Sequence, residues 1–254
     1  MTRRIAIIIT NYNMPERTDA LCWHIRERVV WPHDLIVVDN DSDLVEPSRF
    51  TTLQLEKNIQ TTGGWLAGLN YADELAKKSG KDYFAYWFLI TSAEFLEDDK
   101  SDPLSPLVMA LVDNPSAVGI HPALTSDSTT AWTQLKTRGG AQPRPTWMID
   151  NIASLYRADW FNSIGRFEPA LFYGWGIDYE TCWKARRDGK GLYVHEGVQM
   201  RKISDIGYSM GRMNMSAQER GQKAGANMAD VLSAKYGTTW LERMREEFVT
   251  NDMV

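Results

Sequence analysis

The stretch IAIIITNYNMPERTDALCWHIRERVVWPHDLIVVDNDSD at residues 5–43 carries the signal that decides the fold. Residues 5–10 are an apolar, β-branched run, and residues 15–31 begin with proline and place apolar side chains on one helical face. A second apolar run, residues 35–38, ends in a group of polar residues. Continuous rather than alternating hydrophobicity is typical of strands covered on both faces. The stretch therefore predicts a β-α-β unit of a parallel sheet.

The residues that follow extend this unit. The pattern predicts short strands near 53–55 and 117–121 and a strand at 83–90. It also predicts a helix that begins in the stretch 58–72 and runs to about 78, and a further helix around 103–113. Residues 124–146 show little periodicity and are interpreted as a long excursion, either a lid over a site or a mobile surface loop. Regular structure is then predicted at 147–156, 178–188, 191–200, 216–235 and 238–248.

Composition places the chain among folded proteins without naming a partner. Of its 254 residues 43% are hydrophobic and 24% charged, which argues against long disordered tracts. A formal net charge of −5 gives no general attraction to nucleic acid or to anionic membranes, although a local basic strip could serve either. The first apolar run is too short for a signal-peptide core or a membrane span, and Cys22 and Cys182 lack CxxC spacing. We expect a soluble, cytoplasmic protein with reduced thiols.

Polar residues or glycines follow three of the predicted strands, at the edge where open α/β sheets bind ligands. Carboxylates at such positions suit the donors of a nucleobase or ribose, and paired glycines let backbone N–H groups approach a phosphate. Each residue taken alone is also explained by a turn, a helix cap or close helix packing. Their recurrence indicates a nucleotide site made of Thr10, Asn11, Asp39, Asp41, Asn58, Gly63 and Gly64.

A second cluster, FYGWGIDYE at residues 172–180, places a carboxylate after a glycine-rich aromatic loop and at the beginning of a helix. A carboxylate close to an acceptor hydroxyl can remove its proton, and Tyr173 and Trp175 can stack on the acceptor. The helix start favours the ionised form of Asp178. The alternative interpretation is a carboxylate that only complements the helix dipole.

Four stretches carry a family resemblance: residues 7–21, 35–43, 58–72 and, most specifically, 147–194. Together they resemble the inverting family-2 glycosyltransferases of the GT-A fold over roughly residues 4–203. The resemblance implies a Rossmann-like central mixed sheet flanked by helices, with C-terminal helices. It also implies three parts, which are a nucleotide-sugar-binding half (1–122), an acceptor-binding and catalytic half of the same domain (123–203) and a C-terminal helical segment (204–254).

The same resemblance implies roles for individual residues. Asp39 and Asp41 would contact the base and ribose of a UDP- or dTDP-linked sugar. Asp178 matches the second acid of the family's acidic pair and would be the general base, while Glu180 would orient the acceptor or take the base role itself. One base and one displacement imply inversion at the anomeric carbon. The implied activity is transfer of a sugar to an acceptor hydroxyl.

Two departures from the family pattern concern charge. The first acid of the pair is Ile177, and the Asp-x-Asp-like metal motif after the fourth strand is reduced to Glu94. In the family a histidine often completes the metal site, and its position corresponds to Arg201 and Lys202, where this chain has two cations instead. Either Glu94 with waters holds Mn²⁺ or Mg²⁺ on the diphosphate, or Arg201 and Lys202 neutralise it without metal.

Other classes of function stay open on the sequence. The missing acidic partner and metal motif are compatible with a catalytically degenerate protein that binds a sugar nucleotide or glycan. A nucleotidyltransferase on a related fold is a third reading, but no basic glycine loop that would grip a triphosphate is found. The acceptor is open among polysaccharides, lipid-linked sugars, proteins and nucleic-acid bases.

Overall fold

Nine strands form one central sheet in the computed structural model, which describes residues 3–249. In chain order they are β1 (Arg4–Asn11), β2 (His33–Asp39), β3 (Leu53–Gln54), β4 (Tyr83–Ile90), β5 (Ala93–Phe95), β6 (Ala117–Leu124), β7 (Pro143–Thr146), β8 (Leu155–Arg157) and β9 (Gly191–Lys202). The order across the sheet is β3-β2-β1-β4-β8-β6-β9-β5, and β7 also pairs with β9. Pairing is parallel among β3, β2, β1 and β4 and between β6 and β9, whereas β8, β5 and β7 run antiparallel to their neighbours. The sheet is mixed, as the sequence predicts.

Helices flank this sheet. They are α1 (Pro15–Arg28), α2 (Gln60–Ser79), α3 (Leu104–Asp113), α4 (Ala158–Ser163), α5 (Ile177–Arg187), α6 (Ile206–Ser209), α7 (Ala217–Tyr236) and α8 (Trp240–Val249). Within residues 3–249, no helix combines the length and the apolar character needed to cross a membrane.

Local sequence signals account for several helix ends. Pro15 occupies the first turn of α1, where a missing N–H costs nothing. Gly80 ends α2 with a left-handed backbone (φ 63°), a conformation that glycine adopts without steric cost. Ser216 begins α7 as its cap, because its hydroxyl accepts a hydrogen bond of 3.1 Å from the Glu219 N–H. These signals fix where α1 and α7 begin and where α2 ends.

The centre of the core is β1, whose isoleucines at positions 5, 7, 8 and 9 are fully buried. Such burial on both faces of the strand confirms the expectation drawn from its continuous hydrophobicity. On one face α2 packs against β1 and β2 at Gly68, where an added Cβ would lie 2.5 Å from Ile8 Cγ2 and 3.2 Å from Val38 Cγ2. The helix can approach the sheet this closely because residue 68 has no side chain.

The structure differs from the sequence-based prediction in the second half of the sheet. β5 was not predicted, since its three residues give no periodicity. Residues 124–146 contain a short 3-10 turn (Thr133–Leu135) and β7, and Arg144 of β7 forms an ion pair with Glu196 of β9. The segment predicted to be a lid or mobile loop is thus attached to the sheet by strand pairing and charge.

The predicted three-part division stays a prediction. β6 runs across the proposed boundary between residues 122 and 123, and β8 pairs with both β4 and β6. The two predicted halves therefore share one sheet. Of the predicted C-terminal segment, residues 250–254 lie outside the described residues.

We expect Gly68→Ala to lower the free energy of unfolding by about 1–3 kcal/mol, because the new methyl group overlaps Ile8 and pushes α2 off the sheet. Gly225→Ala in α7 is the matched control: its Cβ would meet nothing closer than 3.9 Å, and alanine favours helix by about 1 kcal/mol. Urea unfolding of both variants measures the difference. Equal stabilities would contradict the close packing of α2 on β1.

Candidate active site

A cleft of about 480 Å³ opens at the edge of the sheet where the parallel strands β1, β2 and β4 end. One wall comes from the strand ends and the beginning of α2. The other comes from residues 150–152, the 173–175 loop and the segment between β9 and α7. Polar or charged side chains lining it include Thr10, Tyr12, Asn40, Asn58, Gln60, Thr61, Asp150, Asn151, Lys202, Asp205 and Arg220.

Asn40 organises the strand-end wall of the cleft. Its amide nitrogen donates to Asn58 Oδ1 (3.2 Å) and to the Gln60 carbonyl (3.1 Å), and its oxygen accepts from the Ile59 N–H (3.0 Å). Because Asn40 is almost fully buried, these three bonds hold residues 58–60 at the end of β2. Tyr12 lies beside them, close to the side chains of Asn58 and Asp43, and lines the cleft. An aromatic ring and several amides therefore face the ligand space together.

Asp39 and Asn11 lie behind this wall and do not line the cleft. Asp39 is fully buried: its Oδ1 accepts from Asn11 Nδ2 (2.8 Å) and Ser42 Oγ (2.7 Å), and its Oδ2 accepts from the Ser42 N–H (2.9 Å). The carboxylate thus fixes the loop after β2. Asp41 lies in that loop, partly exposed and with a positive φ of 64°.

The two glycines of the predicted site make close packing at the start of α2 feasible. A Cβ at Gly64 would lie 2.6 Å from Thr10 Cγ2, and one at Gly63 would lie 2.9 Å from Ile59 Cγ1. Thr10 itself lines the cleft. Of the residues predicted to bind the donor, the structure brings Thr10, Asn58 and Lys202 to the cleft surface.

Two carboxyl groups interact at the far end of the cleft. Asp150 lines it, and Asp178, the second residue of α5, lies next to it and is nine-tenths buried. Burial and the nearby Asp178 charge raise the pKa of Asp150 to about 7, against the opposing attraction of Lys202. Burial also raises the pKa of Asp178 to about 6, although the Tyr179 N–H and the Trp132 side chain favour its ionised form. At neutral pH the pair can exchange a proton with a ligand.

Glu180 faces away from the cleft. Its carboxylate, 1% exposed, accepts hydrogen bonds from Lys235 Nζ and Tyr236 Oη at the end of α7. These contacts tie α5 to α7.

The aromatic residues of the second predicted cluster border the cleft. Tyr173 and Trp175 line it, and Trp175 is 49% exposed. A Cβ at Gly221 or Gly225 would lie 3.8 or 3.9 Å from the Trp175 ring, so the glycine face of α7 supports this indole. Half of the ring stays open to a ligand.

A divalent cation does not fit the residues around Glu94. That carboxylate is paired with Arg17 (3.1 Å) and Arg201 (3.4 Å), and Arg201 also pairs with Asp127 (3.1 Å). Two guanidinium groups therefore satisfy the predicted metal ligand. Across residues 3–249, no group of three or more His, Cys, Asp or Glu side chains could hold a metal ion.

Sequence reasoning missed Tyr12, Asn40, Asp150 and Arg220 as cleft residues. Asn40 stands between two aspartates that drew attention first, and position 150 lies within the stretch that carried the resemblance. Arg220 comes from α7, and nothing in the helical periodicity of 216–235 indicates a ligand contact. Only the fold brings these side chains to one cleft.

No protein-family model matches the chain, and no curated protein matches it by sequence. Solved structures do match. GalNAc-T7, solved with UDP, GalNAc and Mn²⁺, superposes with a TM-score of 0.57 at 11% identity, over 78% of this chain and 43% of that one. The mannosyltransferase PcManGT from Pyrobaculum calidifontis, solved with GDP-Man and Mn²⁺, gives a TM-score of 0.57 at 11% identity, over 98% of this chain and 76% of that one.

These likenesses establish the fold. The nine-stranded mixed sheet with its flanking helices is the GT-A fold, as the sequence predicts. The chain spans less than half the length of GalNAc-T7.

We expect the carboxyl pair to make stability fall as the pH rises. A buried acid whose pKa is raised contributes fully below its unfolded pKa of about 4 and loses that contribution as the pH passes through its folded pKa, here about 7 for Asp150. Asp150→Asn removes the buried charge, so the variant should gain stability over the wild type at pH 8, by about 1–2 kcal/mol, and show no such gain at pH 4.

Asp127→Asn is the control with the opposite sign, because a Thr125 hydrogen bond lowers the pKa of exposed Asp127. The stability of Asp127→Asn relative to the wild type should therefore fall as the pH rises from 3 to 5. Urea unfolding from pH 3 to pH 8 measures both differences. If Asp150→Asn and the wild type kept the same stability difference at every pH, the raised pKa of Asp150 would be refuted.

Proposed function

We propose that the protein is a glycosyltransferase that moves a sugar from a nucleoside-diphosphate donor, UDP- or dTDP-linked, to an acceptor hydroxyl with inversion. One observation carries the proposal: a single cleft at the strand ends of a GT-A fold joins an amide and aromatic wall to a proton-exchanging carboxyl pair. The known structures of this fold that the chain resembles were solved with UDP and GalNAc or with GDP-Man.

The strand-end wall suits the nucleoside. Asn58 and Gln60 offer both donors and acceptors, and the Tyr12 ring offers a face on which a base can stack. Asp39 supports this wall from behind by fixing Ser42 and Asn11. We therefore assign Asp39 an indirect role in donor binding, through the position of its neighbours. Asp41 does not line the cleft, and its predicted contact with the donor stays a prediction.

The carboxyl pair supplies the base, with Asp178 as the residue that receives the proton. The acceptor hydroxyl loses its proton to the carboxylate as its oxygen attacks the anomeric carbon, and the bond from that carbon to the diphosphate oxygen breaks. The electron pair of this bond leaves with the nucleoside diphosphate. A single displacement on the face opposite the leaving group inverts the anomeric carbon.

Tyr173 and Trp175 form the acceptor platform in this proposal. An exposed indole supported by a glycine face offers a flat apolar surface for a sugar ring or another planar acceptor. Glu180 acts on this platform through α7, since it binds Lys235 and Tyr236 at the end of that helix.

A second candidate is a binding protein that has lost catalysis. The observation that favours it is the burial of Asp178, which does not itself line the cleft. Both candidates bind a sugar nucleotide, and only the first turns it over.

Asp178→Asn should separate the two candidates. We expect kcat for release of nucleoside diphosphate from the donor to fall about 10²- to 10⁴-fold, because the amide cannot accept the proton, while donor affinity changes little. Asp159→Asn, an exposed change of the same chemistry on α4, is the matched control and should keep wild-type kcat. The assay screens UDP-, dTDP- and GDP-sugars. Donor binding with no release by the wild type would support the degenerate protein.

The pH profile gives an independent check of the base. Because the pKa of Asp178 is raised to about 6 and that of Asp150 to about 7, the basic form is lost as the pH falls through this range. We expect kcat to rise from pH 5 to pH 7.5 and then level off, and Asp150→Asn to shift the rising limb to lower pH. A rate independent of pH between 5 and 8 would rule out this carboxyl pair as the base.

A further inference from the structure

Two cations line the cleft with only neutral hydrogen-bond partners. Lys202, the last residue of β9, donates through Nζ to the Ile203 carbonyl (3.3 Å). Arg220, near the beginning of α7, donates to Gln60 Oε1 (3.4 Å), Thr61 Oγ1 (2.9 Å) and the Tyr173 carbonyl (3.2 Å). The ion pairs found within residues 3–249 involve other lysines and arginines.

Such an arrangement is costly without an anionic ligand. A partly buried cation loses hydration, and a nearby carboxylate usually compensates for that loss. Burial lowers the pKa of Lys202, which indicates that its hydration is already reduced. The guanidinium of Arg220 is fixed in place by its three neutral acceptors, and its remaining N–H groups suit phosphate oxygens. An anion in the cleft would satisfy both cations.

The acidic groups near Lys202 leave its ammonium group able to bind an anionic ligand. Asp150 and Asp205 both attract the Lys202 ammonium group and oppose the effect of burial on its pKa, and Asp150 has the larger effect of the two. Asp150 is also the group whose proton is held by burial and by the Asp178 charge. Because its pKa is raised to about 7, Asp150 is only partly ionised at neutral pH and compensates the charge of Lys202 incompletely.

The neighbouring cation, Arg201, cannot serve in the same way. It is 42% exposed and is paired with both Glu94 and Asp127. Those contacts also occupy Glu94, the residue that the fold family would use toward a divalent cation. Arg201 also does not line the cleft, whereas Lys202 and Arg220 do.

We propose that Lys202 and Arg220 bind the donor's diphosphate and neutralise it as it departs, without a divalent cation. The inference rests on the proposed function for the identity of the donor. As the bond from the anomeric carbon to the diphosphate oxygen breaks, its electron pair remains on that oxygen, and the two cations stabilise the charge that develops.

Inorganic pyrophosphate tests the cation pair without a nucleobase, a sugar or an acceptor. In EDTA, calorimetry should detect binding of pyrophosphate to the full-length protein. We expect Lys202→Ala and Arg220→Ala each to weaken it about 10- to 100-fold, and Arg220→Lys to recover part of the loss. Lys223→Ala is the matched control, since this lysine lies one turn further along α7 and pairs with Glu219. Its affinity should equal that of the wild type.

Thermal unfolding of each variant shows that the protein is folded before binding is compared. Three results would overturn the inference: no pyrophosphate binding in EDTA by the folded wild type, binding that appears only when Mn²⁺ is added, or wild-type affinity in both Ala variants. Failure of the proposed transfer is separate. Pyrophosphate binding through the pair with no turnover of any nucleotide sugar would support diphosphate binding by Lys202 and Arg220 and refute the transfer.

Discussion

The parallel pairing of β1 with both β2 and β4 is the constraint on which the rest of the structure depends. It brings Asn11, Asp39 and Ile90 to one edge of the sheet. A slip of one residue would exchange the side chains of β1 between the two faces of the sheet, which would move Ile8 away from Gly68 and Thr10 away from the cleft. The same packing that stabilises the core therefore fixes the position of the ligand wall. The loop after β2 is then fixed by buried hydrogen bonds to Asp39 and Asn40.

Charge in the cleft is arranged with little direct compensation. A carboxyl pair that prefers to hold a proton lies beside a lysine, and an arginine bound only by neutral acceptors completes the wall. Each group alone costs stability, because burial disfavours its charged form. In the proposed function the anionic donor compensates the two cations, and the hydroxyl of a separate acceptor gives its proton to the carboxyl pair. The arrangement is what transfer chemistry needs, and the proposed function rests on it.

Much of the fold follows from the sequence, because β1, β2, β4 and the helices between them have strong local patterns. Of the predicted site residues, Thr10, Asn58, Tyr173, Trp175 and Lys202 line the cleft, whereas Asp39 and Asp178 do not. The rest depends on contacts between distant segments. Asp150 and Asp178 meet because the segment before β8 contacts α5, where the Ile149 N–H donates to Cys182 Sγ (3.3 Å). Glu94 is paired with arginines because α1 and β9 bring Arg17 and Arg201 to it. Short strands such as β5 and β7 carry too few residues for a periodic signal.

Helix α7 contacts α2 near its beginning and α5 near its end. Arg220 near its beginning contacts the start of α2, and Lys235 near its end binds Glu180, two residues beyond Asp178 on α5. In an α-helix each residue turns the side-chain direction by about 100°. Inserting or deleting a single residue between these two positions would point one of them away from its partner. Length changes in this helix during evolution would thus be restricted to steps close to whole turns, or to loss of one of its two attachments.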